Sequence, residues 1–107
     1  MRIHQLKAFQ KELAKFPLEV REDILSLVHR YLKGERLNRT EFKTFKLDRN
    51  TKIQEFKVKD SKGNWRAVST IVSKKALVFV CAFHKKSQAL LEKGKAVIKK
   101  RIGSIEL

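Results

Sequence analysis

The chain has 107 residues, of which 42% are hydrophobic, and its 26 lysines and arginines outnumber its 11 carboxylates to give a formal charge of +15. That hydrophobic content is too high for a disordered basic tail, and no run approaches the ~18 apolar residues that cross a bilayer. A field of this sign attracts polyanions, so nucleic acid leads as partner class ahead of an anionic membrane surface, and the length suits one domain spanning residues 1–107.

The first residues, Met1-Arg2-Ile3-His4-Gln5-Leu6, lack the apolar core of a signal peptide, and a single cysteine excludes an internal disulfide. A reducing cytoplasm is the expected location. Residues 2 to 6 form either a short edge strand or the lead into a helix. From Leu6 the apolar Leu6, Phe9, Leu13 and Phe16 recur at helical spacing opposite Lys7, Gln10, Lys11 and Glu12. Pro17 ends that helix and suits the first turn of another, where Glu19, Glu22 and Asp23 meet the positive end of the helix dipole. The stripe Val20, Ile24, Leu27, Val28 and Tyr31 carries the second helix to about Lys33, and Gly34 stands where a left-handed cap would end it. Residues 35 to 51 show no sustained period and read as a long connection, pinned to the core by Leu37, Phe42, Phe45 and Leu47.

Three strands follow. Residues 53 to 59 alternate, with Phe56 and Val58 on one face and Lys57 and Lys59 on the other. Asp60-Ser61-Lys62-Gly63-Asn64 supplies a turn, residues 65 to 72 are rich in β-branched and aromatic side chains, and Ser73-Lys74-Lys75 turns the chain again. Residues 76 to 83 have no polar side chain, the mark of a central strand covered on both faces. A C-terminal helix is expected from about Gln88 to Ile102. The fold class is therefore α+β, with two N-terminal helices and a C-terminal helix packed on an antiparallel meander centred on residues 76 to 83.

A first-hairpin loop of residues 62 and 63, or of 61 to 64, sets Lys59 opposite Arg66, Val58 opposite Ala67 and Lys57 opposite Val68. Lys57, Lys59 and Arg66 then share a face. Cations held together cost stability, so such a face either reserves a site for an anion or is the solvated side of a basic sheet. His4, His29, His84 and Cys81 lack paired ligand spacing, so no metal and no cofactor is expected, and Cys81 reads as a core residue. Phosphate-loop, serine-elbow and paired-carboxylate signatures are missing too.

The third strand ends in Phe83-His84-Lys85-Lys86-Ser87-Gln88, which the register places at the rim of the Lys57/Lys59/Arg66 face. Together with Glu-Phe-Lys-Val-Lys-Asp (55 to 60) and Gly-Asn-Trp-Arg (63 to 66), this order of elements resembles the RelE/ParE superfamily, and within it the HigB-like, phage-derived branch of type II toxins. The likeness covers nearly the whole chain and is strongest from 52 to 102. It implies a RelE-like fold and an endoribonuclease that cleaves mRNA on the ribosome, held in check by a cognate antitoxin, often a helix-turn-helix protein, with no membrane partner.

Carried over by position, the resemblance makes Lys57, Lys59, Arg66 and Lys86 catalytic candidates. Lys85, Gln88, Lys46 and Arg49 are candidates for holding RNA. The chain departs from the family pattern in two places: its only tyrosine is Tyr31, far from the C-terminal segment, and Trp65 stands where a tyrosine usually precedes the arginine. Metal-free cleavage needs a group that takes the 2′-hydroxyl proton, a counter-charge at phosphorus and an acid for the leaving oxygen. Arg66 suits the counter-charge because its guanidinium meets two phosphate oxygens at once. A lysine crowded by other cations loses its proton more readily and suits the base, and His84 is either the acid or a satisfied strand-end histidine. A ParE-like gyrase inhibitor and a non-catalytic basic nucleic-acid-binding module remain the alternative classes.

Overall fold

The structure, a computed structural model, describes residues 1–85 and 92–105. Five strands form one sheet in the order β1-β5-β4-β3-β2: β1 (Arg2–Gln5), β2 (Phe42–Lys46), β3 (Lys52–Asp60), β4 (Gly63–Val72) and β5 (Ala76–Lys85). Three helices accompany it, namely α1 (Lys7–Leu13), α2 (Leu18–Leu32) and α3 (Glu92–Gly103). The expected α+β architecture is the observed one, and no helix among the described residues is long and apolar enough to cross a membrane.

Two helices cover one face and the third covers part of the other. Phe9 of α1 and Val20, Ile24, Leu27 and Val28 of α2 bury against Phe56, Trp65, Ala67, Leu77 and Phe79. On the opposite face Ile98 of α3 is fully buried with Ile53, Val68, Val78, Val80 and Cys81. The apolar run 76 to 82 of β5 is thus buried on both faces, as its composition requires. It lies beside the middle strand, β4, and is itself internal over residues 76 to 79 because β1 pairs along its outer side in parallel. Beyond β1 that outer side is closed by side chains. Glu12 accepts the Ala82 N–H, and Arg101 of α3 grips Glu12 at 2.7 and 3.0 Å while donating to the Val80 carbonyl. A strand edge left open would invite pairing with another chain.

Two readings are corrected. Residues 42 to 46 are a strand rather than connection, antiparallel to β3 with Phe42 opposite Phe56 and Phe45 opposite Ile53. Its alternation was short and was masked by the basic residues between, yet Phe42 faces the α1/α2 core and Phe45 the α3 core. The first helix also ends earlier than its stripe suggests: α1 stops at Leu13, and Phe16 reaches the core from the link before Pro17. Gly34 takes φ +86, the left-handed cap expected after α2.

Candidate active site

The hairpin between β3 and β4 decides which side chains meet. Asp60 Oδ1 accepts the Lys62 N–H at 2.9 Å and the Trp65 indole N–H at 3.0 Å, so the turn closes over Ser61 and Lys62. These donors hold the Asp60 carboxyl below the usual carboxylate range, the indole contributing most. Gly63 opens β4 at φ +133 and pairs with Asp60. The register therefore differs by two residues from the expected one: Lys57 lies opposite Arg66, Val58 opposite Trp65 and Lys59 opposite Asn64. A shift of two preserves parity, and Lys57, Lys59 and Arg66 remain on one face.

That face is the one carrying α3, whose Ile98 occupies the half around Ile53, Val68 and Val78. The other half is charged. Arg66 is 7% exposed and donates from Nη1 to Glu55 Oε1 at 2.8 Å, with Glu55 only 5% exposed. Lys43 of β2 lies opposite Glu55, Lys57 opposite Arg66, and Phe83 of β5 opposite Arg66 on the other side. Lys85, two residues past Phe83, returns to the same face and is 9% exposed, with its ammonium 5.9 Å over the Phe83 ring. Among the described residues, one carboxylate thus stands among four cations contributed by four adjacent strands.

The electrostatics follow from this crowding. Burial, then the Arg66 guanidinium, lowers the Lys57 ammonium from its ordinary value, with Lys43 acting the same way and Glu55 opposing. Lys85 is lowered chiefly by burial, with Arg66 and Lys43 adding to it against the pull of Glu55. Among the described residues the buried Arg66 Nε–H has no hydrogen-bond acceptor, so Glu55 does not use all of the guanidinium's donor capacity. Such a site suits a tetrahedral anion: several cations converge, one of them a bidentate donor, and their ammonium neighbours give up protons more easily than free lysines do.

Of the sequence candidates, Lys57, Arg66 and Lys85 share this face, and Arg66 is near enough to lower both lysines. Lys59 shares the face one pair nearer the hairpin tip and is exposed. Lys46 does not belong to the cluster. It pairs with Lys52 at the far end of β3, and alternation sets it on the α1/α2 side. Arg49 lies in the exposed bend between β2 and β3. Lys86 and Gln88 fall outside the described residues.

His84 is the clear correction. It lies opposite Trp65 and stacks on the indole at 3.8 Å, which puts it on the sheet face away from Arg66 rather than at the rim of that face. Alternation along β5 forces this, because Phe83 and Lys85 take the charged face and His84 between them must take the other. Two members of the cluster were not among the site residues expected from the sequence. Glu55 alternates with Lys57 and Lys59 and was legible as a face-mate; Lys43 needed the unrecognised β2.

Comparison with known proteins agrees with this architecture. The family model described as phage derived protein Gp49-like matches residues 11–103. Among solved structures, the E. coli RelE toxin crystallised alone matches with TM-score 0.52 and 18% identity over 92% of this chain and 96% of that one. A chain of the intact E. coli RelBE toxin-antitoxin complex matches with TM-score 0.53 and 15% identity over 80% of this chain and 98% of that one. No curated protein sequence matches. With a family match over residues 11–103 and a backbone that superposes on both RelE structures, the chain belongs to the phage-derived Gp49-like family and has the RelE fold.

Proposed function

We propose that the protein is the toxin of a type II toxin-antitoxin pair and acts as an mRNA endoribonuclease on the ribosome. The observation that carries this reading is the placement of Lys43, Lys57, Arg66 and Lys85 about Glu55 on the charged half of the α3 face. The family match and the likeness to RelE, one copy of which was crystallised in a toxin-antitoxin complex, support the same class.

In the proposed reaction the 2′-oxygen of one ribose attacks the adjacent phosphorus, and the P–O5′ bond breaks. The products are a 2′,3′-cyclic phosphate and a 5′-hydroxyl. The neutral amine of Lys57, made more accessible by the lowering of its ammonium, takes the 2′-hydroxyl proton. Arg66 offsets charge on the phosphoryl oxygens; its pairing with Glu55 holds the guanidinium in one orientation. Lys85 adds positive charge from β5, and Lys59 holds the neighbouring backbone. The departing 5′-oxygen takes up a proton, and His84, which faces away from Arg66, is not placed to donate it.

The test is cleavage of mRNA on programmed ribosomes, with the new ends identified chemically. This reading expects cuts that leave 5′-hydroxyl and 2′,3′-cyclic phosphate ends, together with growth arrest on induction that a co-expressed antitoxin relieves. Arrest with intact mRNA and stalled gyrase would replace it with the gyrase-directed class.

A further inference from the structure

We propose that His84 is a nucleobase-stacking platform, built on the side of the hairpin opposite the cationic cluster. The inference rests on the RNA-directed reading above and adds a base-binding site to it.

The imidazole is held on three sides. Trp65 lies beneath it, ring centroids 3.8 Å apart and planes 15° from parallel, and Trp65 is itself 7% exposed, packed edge-on by Phe16 at 4.9 Å. The His84 Nε2–H donates to the Lys62 carbonyl at 2.8 Å; a carbonyl can only accept, so Nε2 bears the proton. Gly63 makes room: a Cβ there would come within 2.5 Å of Nε2. The tryptophan in turn is pinned by Asp60 through its indole N–H. Asp60, Lys62, Gly63 and Trp65 thus form a continuous support for one side chain.

That side chain is nonetheless exposed. A flat ring fixed in orientation, backed by a larger ring and open to solvent has already lost the rotamer freedom that stacking would cost. Every nucleobase presents a π-face, so such a ring accepts single-stranded RNA without regard to sequence. Lys59 and Lys62, both exposed at the same hairpin, supply the backbone contacts that bring a strand across the tip. If the ring served only to cover Trp65, base and phosphate would contribute separately and His84 would be indifferent to the presence of a base.

The test uses 2′-O-methyl hexanucleotides, which bind but cannot undergo 2′-hydroxyl attack, in two forms: all-adenine and fully abasic, with equal phosphate counts. Trp65 is the sole tryptophan, so its emission reports binding at the site directly. The wild type should bind the adenine form more tightly. His84→Ala should weaken adenine binding about five- to a hundredfold, the scale of one lost stack, and leave abasic binding unchanged; His84→Phe should restore it. Equal losses for both probes, or none, would overturn the platform while leaving the RNA reading in place. Binding of neither probe by the wild type would overturn both.

Discussion

Glu55 and Arg66 form an ion pair inside the sheet, 2.8 Å apart on adjacent strands, with side chains 6% and 9% exposed. A pair this buried is usually neutral in net worth, but breaking it from one side leaves an uncompensated charge. The two sides are unequal here. Removing Glu55 leaves Arg66 among Lys43, Lys57 and Lys85 with no anion among the described residues, whereas removing Arg66 leaves Glu55 those same lysines nearby. Glu55→Ala should therefore cost about 3–5 kcal/mol, and Arg66→Ala clearly less. Urea unfolding of both variants checks the order, and equal costs would mean that the lysines do not reach Glu55.

Lys57 and Lys85 both hold ammonium groups lowered by burial and by Arg66. The folded state then binds fewer protons than the unfolded state between the lowered values and the ordinary lysine value of 10.5. By linkage their contribution to stability is unfavourable below that window and improves as pH rises through it. Cleavage should climb over the same alkaline range as Lys57 loses its proton. Lys57→Arg should abolish the climb, and Glu55→Gln, which removes the opposing carboxylate, should move it to lower pH. Single-turnover rates against pH provide the check, and a Lys57→Arg profile identical to wild type would take the base role from Lys57.

The turn between β4 and β5 places two non-glycine residues in the left-handed region, Ser73 at φ 54 and Lys74 at φ 57. This geometry favours asparagine followed by glycine. Lys74→Gly should raise stability by about 1 kcal/mol, and Ser73→Asn with it should add to that. Thermal unfolding of the single and double variants measures the gain. A loss on Lys74→Gly would show that its side chain contributes more than the backbone relief.

Cys81 is buried in the α3 core, where burial and the nearby Glu12 push its thiol up to about 12. Only the thiolate reacts, so the native protein should resist a chromogenic thiol reagent at pH 8 and react fully once unfolded. Rapid labelling under native conditions would indicate that α3 opens readily from the sheet.

Much of this molecule was legible from residue pattern alone. The alternation of 53 to 59 and the apolar run of 76 to 83 announced the sheet, and parity carried Lys57, Lys59 and Arg66 to one face even though the pairing partners were shifted by two. The shift lay beyond composition, because it depends on Asp60 accepting the Lys62 N–H rather than on the turn-forming bias of Gly63 and Asn64. His84 was misplaced although the needed rule was at hand: it follows Phe83, and neighbours on a strand cannot share a face. Lys43 was hidden because β2 is short and is stabilised by pairing with β3 rather than by its own sequence. The burial of Arg66 against Glu55 is a tertiary fact that no spacing encodes.

The most direct measurement is cleavage by Arg66→Ala on programmed ribosomes, with ribosome association and thermal stability recorded for the same preparations. If Arg66 offsets charge at phosphorus, a folded Arg66→Ala should lose roughly two to three decades of cleavage rate, the scale of one missing oxyanion donor. It should still associate with ribosomes, because the remaining excess of cations holds the RNA backbone. Arg66→Lys should recover only part of the rate, since an ammonium lacks the two-pronged geometry. A folded, ribosome-bound Arg66→Ala that cleaves as fast as wild type would contradict the assignment of the cationic cluster as the catalytic site.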